Sequence, residues 1–384
     1  MKLLIVFFIF YAQLYLGSDS FLNIVPYRLL AFFVALSFLI NIKVIIPKIF
    51  IVAGVTLTLW PLLSSILYSN DPSKLIISLI SNNLINFIFI LLFVELWYSK
   101  KRLQFIFIII SLLMINVFVI IGQFYYSELF INITHFFAPQ RFIDFDFERH
   151  LTKHGSITGA LGEVQSGYAN ITLIGLLLYY RNNYNNYKIL TALFIFFTLG
   201  SVFILGQRSS TIGILFILIT YLLTIFNQKQ IKYYLFGIIL ILISDQLIQF
   251  ITNRINLDKI NFNTNEREIV YLQALSFIKD NLIIPGGLEN FYAISDNKSP
   301  HNLFYSVLIQ GGVFLLFYLL YFLKRIVFTL NYKFILSLTF LVLILASFVH
   351  NHGILSFELF TWSLMMIAYM DSKKGHTNKF FLND

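Results

Sequence analysis

Apolar runs long enough to cross a bilayer core of about 30 Å recur along the whole chain, separated by short polar turns. They begin near Lys2, Phe21, Val44, Leu75, Leu103, Leu161, Ile189, Thr211, Tyr233, Leu303, Phe334 and Gly353. This rhythm predicts an all-α, polytopic integral membrane protein of about twelve transmembrane helices, with residues 1–384 forming a single membrane domain. The first run, Met1 to Leu16, opens with a short charged start as a signal peptide does. No small-x-small cleavage site precedes Gly17-Ser18-Asp19, so it is expected to stay as the first helix.

Two longer polar stretches interrupt the rhythm, a first loop over 125–160 and a larger one over 253–302, between the ninth and tenth predicted spans. The larger loop carries a helix signal of its own. Asn265 reads as an N-cap, Glu268 closes a capping box three residues later, and Val270, Ala274, Phe277 and Ile278 share one face. Pro285-Gly286-Gly287 stops the helix, and Arg267 falls in its first turn. The expectation is a short amphipathic helix resting on the membrane surface. No internal repeat or linker suggests a separate soluble domain.

Charge gives the orientation. With a cytoplasmic N-terminus, the inner turns collect Lys2, Lys43, Lys48, Lys100, Lys101, Arg102, Arg181, Lys188, Lys229, Lys232, Lys324, Arg325, Lys333, Lys373, Lys374 and Lys379, about sixteen of the 27 Lys and Arg. The short outer turns then hold little beyond Lys74 and Arg208, both termini are cytoplasmic, and both long loops face outward.

Composition narrows the classes further. At 58% hydrophobic and 12% charged residues, the chain has too little polar surface to cover a soluble globule. The formal charge of +9 is spread in small clusters between apolar runs, where it fixes orientation or meets anionic lipid, so no nucleic-acid partner is expected. Zero cysteines exclude disulfides, thiolate zinc, iron–sulfur clusters and a cysteine nucleophile. Abundant Phe, Ile, Asn, Lys and Tyr suggest an AT-rich coding sequence.

Few residues look like chemistry. Arg208 sits in Gly206-Gln207-Arg208-Ser209-Ser210, a tight turn between apolar runs. A fork-shaped, permanently charged guanidinium there suits a phosphate or pyrophosphate at the bilayer edge, although an arginine snorkelling to headgroups gives the same pattern. Arg267 is flanked by Glu266 and Glu268, so a surface ion pair also accounts for it. His301, in Pro300-His301-Asn302 at the start of the run Leu303 to Leu323, can take a proton from a hydroxyl near neutral pH; the plain alternative is a helix start that Asn302 caps. The orientation puts Arg208, Arg267 and His301 on one side of the membrane.

Other polar groups read more blandly. His350 and His352 supply interface polarity or a second imidazole. His150 and His154 are spaced four apart after Asp144, Asp146 and Glu148, but no HExxH signature accompanies them, so a solvated loop is favoured over a metal site. Glu95, Glu163, Asp245 and Glu358 lie in or beside spans and could line a polar cavity; four scattered carboxylates are thin support for a proton-coupled transporter. There is no P-loop, dinucleotide glycine fingerprint, GxSxG elbow or acidic metal-binding pair, so no cofactor is expected. The energy for any reaction must then reside in the substrate, or the chain is a transporter.

The order Leu205-Gly206-Gln207-Arg208-Ser209, then Asn265-Glu266-Arg267-Glu268, then Ser299-Pro300-His301-Asn302-Leu303 followed by Gln310-Gly311-Gly312-Val313 resembles the O-antigen polymerase and O-antigen ligase superfamily. The resemblance covers roughly Gly200 to Tyr369, and departs from the family where Gln207 replaces a common Ser and where the Pro285-Gly286-Gly287 stretch is shortened. It implies a metal-independent glycosyltransferase of surface and lipopolysaccharide biosynthesis in the bacterial inner membrane. The implied partners are an undecaprenyl-pyrophosphate-linked oligosaccharide and membrane lipid, with a chain-length regulator protein as a candidate. Carried onto this sequence, the family's site residues are His301, Arg208 and Arg267 for catalysis, with Arg208, Arg267 and Asn302 binding substrate at the periplasmic face. Within the superfamily the expectation is an O-antigen polymerase. The alternatives are a ligase that transfers glycan to lipid A-core and, from a different class, a lipid-linked oligosaccharide flippase.

Overall fold

The computed structural model describes residues 2–15, 26–39, 44–68, 72–137, 159–161, 163–184, 188–205, 207–225, 257–296, 298, 300, 302–331, 335–350, 355 and 358–376. Among them every regular element is helical. In chain order these are α1 (Lys2–Tyr15), α2 (Pro26–Leu39), α3 (Lys48–Tyr68), α4 (Pro72–Trp97), α5 (Arg102–Tyr125), α6 (Ser127–Phe137) and α7 (Glu163–Asn183). There follow α8 (Lys188–Leu205), α9 (Arg208–Ile225), α10 (Leu257–Asp280), α11 (Leu288–Ile294), α12 (Leu303–Val327), α13 (Ile335–His350) and α14 (Leu359–His376).

A helix stands at eleven of the twelve apolar runs read from the sequence; the run near Tyr233 lies outside the described residues. By length and composition α5, α8 and α12 can cross a membrane, and shorter apolar helices cover Leu4–Tyr15, Lys48–Leu63, Asn83–Trp97, Ser209–Leu222 and Ile335–Phe348.

The bundle is organised around α7, which packs against α5, α8, α9, α13 and α14. Residues 166–178 of α7 are all buried, although this helix carries Ser166, Asn170 and Thr172 among its apolar positions. Lipid tails are as apolar as Leu, so small and polar residues mark the side of a membrane helix that meets other helices. The contacts here are of that kind. A Cβ at Gly175 would lie 2.2 Å from Thr339 Oγ1 of α13, so the missing side chain sets how near α7 and α13 can come. The same holds for Gly213 of α9, where a Cβ would lie 2.4 Å from Val342 Cγ1.

Aromatic packing joins other helices of the bundle. Phe10, Phe93 and Phe105 interlock α1, α4 and α5 at centroid distances of 4.8–5.8 Å, and Phe50 of α3 meets Phe322 and Tyr369 edge-on at 6.0 and 5.3 Å. At the turn between α4 and α5, Arg102 lies over the Trp97 and Tyr179 rings at 4.6 and 5.0 Å and bonds the Tyr179 hydroxyl, fastening this turn to α7. In the same turn the Tyr98 hydroxyl donates to Asp371 of α14 at 2.7 Å; burial first, then the Asp371 carboxylate, hold this phenol above its ordinary range.

The helix of the larger loop is longer than its sequence signal. α10 begins at Leu257, so Asn265 and Glu268 lie inside it and no capping box forms there. Between Leu257 and Asp280 there is no Pro or Gly to interrupt the backbone, and Asn263, Thr264 and Asn265 are each tolerated within a helix. The predicted face is as read: Val270, Ala274, Phe277 and Ile278 are buried together with Phe291 of α11 and Ile309 of α12 in a small separate core. α10 is therefore partnered by α12 along this face.

Two carboxylates have roles in holding the fold. Glu95 accepts the Val44 backbone N–H at 3.0 Å, tying the approach to α3 onto α4. Glu358 caps α14, accepting Phe360 N at 3.0 Å, Thr361 N at 2.7 Å and Thr361 Oγ1 at 2.7 Å.

Candidate functional site

The site named from the sequence divides among three helices, two of them at their starts. Arg208 is the first residue of α9, Arg267 lies within α10, and Asn302 caps α12. The side chains of Arg208 and Arg267, and His301 entirely, lie outside the described residues, as do His150, His154, Asp144, Asp146, Glu148, Asp245, His352 and the side chains of Glu163 and His350.

The backbone that presents Arg208 is held by the residue before it. The Gln207 carbonyl accepts both Thr211 N and Thr211 Oγ1, at 3.1 and 3.0 Å. Its buried side chain accepts the Ser210 hydroxyl and lies against Gly167 of α7, where a Cβ would stand 1.5 Å from Gln207 Oε1. The glutamine that departs from the family pattern thus occupies room left by a glycine on the neighbouring helix.

A polar network next to this point fixes the approach to α7. Asn116 Oδ1 on α5 accepts Ala160 N at 2.9 Å, Leu161 N at 3.3 Å and Ser166 Oγ at 3.2 Å, and Gln123 Oε1 accepts Gly159 N at 3.0 Å. Buried backbone N–H groups are costly when unmade, so two side chains on α5 dictate where the chain enters α7.

From α7 the contacts continue to α12. The Tyr168 hydroxyl donates to Ser347 Oγ of α13 at 3.3 Å, and the next α13 residue, Phe348, stacks on Phe304 at 5.1 Å with the rings 19° apart. Phe304 N donates to Asn302 Oδ1 at 2.9 Å, and Tyr305 N does so at 3.3 Å. Asn302 is therefore an N-cap, the plainer of its two readings, and only its amide nitrogen is left to meet a substrate.

α10 joins at the same end. Tyr271, one turn after Arg267, meets Tyr305, one turn into α12, with centroids 5.5 Å apart. Further along, the Leu282 carbonyl accepts Val313 N at 3.0 Å, so the numbering rises on both elements together and α10 runs parallel to the first half of α12. The backbone of Arg267, one turn before Tyr271, thereby runs alongside the start of α12.

The Gly311-Gly312 pair is a break in α12. Gly312 has φ 63° and ψ −165°, a conformation essentially restricted to glycine. In a continuous helix Val313 N would donate to the Ile309 carbonyl. Here Val313 N goes to Leu282 O, and Ile309 O accepts Gly287 N at 3.1 Å, so both groups are satisfied by the loop that follows α10. The Gly311 carbonyl accepts the Trp60 indole N–H of α3 at 2.8 Å. The glycine pair and the Pro285-Gly286-Gly287 stretch, separate signals in the sequence, are two sides of one joint. Trp60 had no sequence signal linking it to residues some 250 positions away.

Residues 193–320 match the family model described as O-antigen ligase, a third of the chain. The match supports the O-antigen polymerase and ligase superfamily. Members of this family are glycosyltransferase-like enzymes, polymerases or ligases. The matched stretch runs from α8 into α12 and contains Arg208, Arg267, His301, Asn302 and the Gly311-Gly312 break; α3, with Trp60, lies outside it. No curated protein matches the chain, and no solved structure does.

Proposed function

We propose that the protein is a surface-polysaccharide polymerase, a metal-independent glycosyltransferase that joins undecaprenyl-pyrophosphate-linked repeat units at the periplasmic face of the bacterial inner membrane. The observation that carries the glycosyltransferase reading is the family match, whose span holds all four residues named from the sequence; the choice of polymerase rests on the AT-rich composition. Consistent with it, the starts of α9 and α12 are linked through α7 and α13, and α10 packs on the first half of α12. On this reading about twelve spans cross the membrane and both termini are cytoplasmic.

The chemistry follows from the residue types. The acceptor sugar hydroxyl attacks the donor's anomeric carbon, and His301 takes the hydroxyl proton as the new glycosidic bond forms. The anomeric carbon–oxygen bond to pyrophosphate breaks, and the lipid pyrophosphate leaves with the electron pair. Arg208 and Arg267 neutralise its growing charge. Asn302 orients the acceptor through its amide nitrogen while its oxygen holds the helix start.

The description of the matched family favours a second reading, a ligase that transfers finished glycan to lipid A-core. Purified protein in lipid separates the two. A product ladder from lipid-linked repeat units alone establishes the polymerase, and transfer of preformed lipid-linked polymer only when lipid A-core is added establishes the ligase. If neither substrate gives product, the glycosyltransferase assignment falls and the flippase returns.

A further inference from the structure

We infer that the interruption of α12 at Gly312 is a positioning device, in which Trp60 and the loop Leu282–Gly287 set the register of α10 against the first turns of α12, and so place Arg267 relative to Asn302. Its chemical consequence rests on the reaction proposed above; its geometry does not.

Three observations carry it. First, the break has matched substitutes on both sides. Val313 N and Ile309 O, which would bond each other in an unbroken helix, are taken by Leu282 O and Gly287 N. In a membrane segment an unpaired backbone group is too costly to leave exposed, so the break persists only while the loop occupies it. Second, the loop can be seated here only because residue 312 is glycine. A Cβ at Gly312 would lie 2.8 Å from Leu282 O and 3.1 Å from Ile283 O, so loop and glycine fit at backbone distance. Third, Trp60 fixes the joint to a different helix. Its indole donates to Gly311 O at 2.8 Å and its ring lies against Phe314 at 6.2 Å, so both sides of the break are referred to α3.

Register follows from these contacts. The loop anchors the C-terminal end of α10 at Val313, and the Tyr271–Tyr305 pair lies nearer the helix starts on the same parallel interface. Between them Ala274, Phe277 and Ile278 pack with Ile309. Releasing the loop frees Val313 N to return to Ile309 O, which would straighten α12 and slide α10 along it. Trp60 acts through the backbone and touches no described site residue; it is a positioning residue.

The absence of cysteine from the chain makes a direct test possible. Tyr271→Cys and Tyr305→Cys together are cross-linked with a short bifunctional thiol reagent in membranes, alone and combined with Trp60→Phe or Gly312→Ala. Trp60→Phe keeps an aromatic ring on the side of Phe314 while removing the N–H together with part of the indole, so it serves where Gly312→Ala fails to accumulate. The device requires cross-linking to fall in Trp60→Phe, because one lost buried hydrogen bond shifts the register equilibrium by about tenfold. Glycan transfer in Trp60→Phe without the cysteines should lose kcat with little change in donor KM, because misplacement by about 1 Å is costly to the reacting geometry. Unchanged cross-linking in Trp60→Phe overturns the device. Cross-linking lost with kcat unchanged overturns its role in placing the site. If the parent protein transfers no glycan, the proposed reaction fails, and the cross-link alone decides the device.

Discussion

At the residue scale, each candidate group makes a separable claim. Arg208→Ala or Arg267→Ala is expected to abolish polymer while leaving the protein's level in the membrane intact, as read by immunoblot beside a glycan gel. Normal chain length in both would remove the pyrophosphate role. His301→Ala should likewise eliminate product, whereas His150→Ala should be tolerated; the opposite pair of results would move the chemistry to the first outer loop. Asn302 shows how much such readings depend on the local backbone. An asparagine directly before an apolar run is legible as a cap, and Phe304 N and Tyr305 N occupy its oxygen. Trp60 was not legible, because nothing in an aromatic residue within an apolar run announces a hydrogen bond to a carbonyl on a distant helix.

At the element scale, glycine governs how closely helices approach. Gly175→Ala places a methyl group against Thr339, a β-branched side chain with little freedom to move, and overpacking of that kind costs about 1–3 kcal/mol. A lower Tm in detergent is expected for Gly175→Ala, with most of the loss recovered when Thr339→Ala is added. Additive effects of the two changes would show that this contact does not set the α7–α13 distance. Helix periodicity exposed the buried face of α10, because Val270, Ala274, Phe277 and Ile278 follow the helical repeat. The same sequence misplaced its start. A capping pattern at Asn265 and Glu268 is a local preference, and an uninterrupted stretch from Leu257 overrides it. The joint at Gly312 was visible only as two unrelated glycine signals, since pairing a loop with a span needs the fold.

At the scale of the whole molecule, orientation is the claim most open to a direct check. Ser299→Cys is expected to react with a membrane-impermeant thiol reagent added to intact spheroplasts, and reaction only after lysis would invert the topology. The bundle's centre has a further implication, for how the protein is made. α7 is among the most thoroughly enclosed helices, yet it is not among the described helices apolar enough by length and composition to cross a membrane. Four of the five helices that pack against it, α8, α9, α13 and α14, are synthesised after it. Among the described helices that precede it, α5 packs along α7 and α4 touches it through Trp97 and Tyr179, so most of its cover arrives later. Biogenesis of this chain thus has a vulnerable interval, from the emergence of α7 to the arrival of α13, during which its central helix depends on partners that do not yet exist.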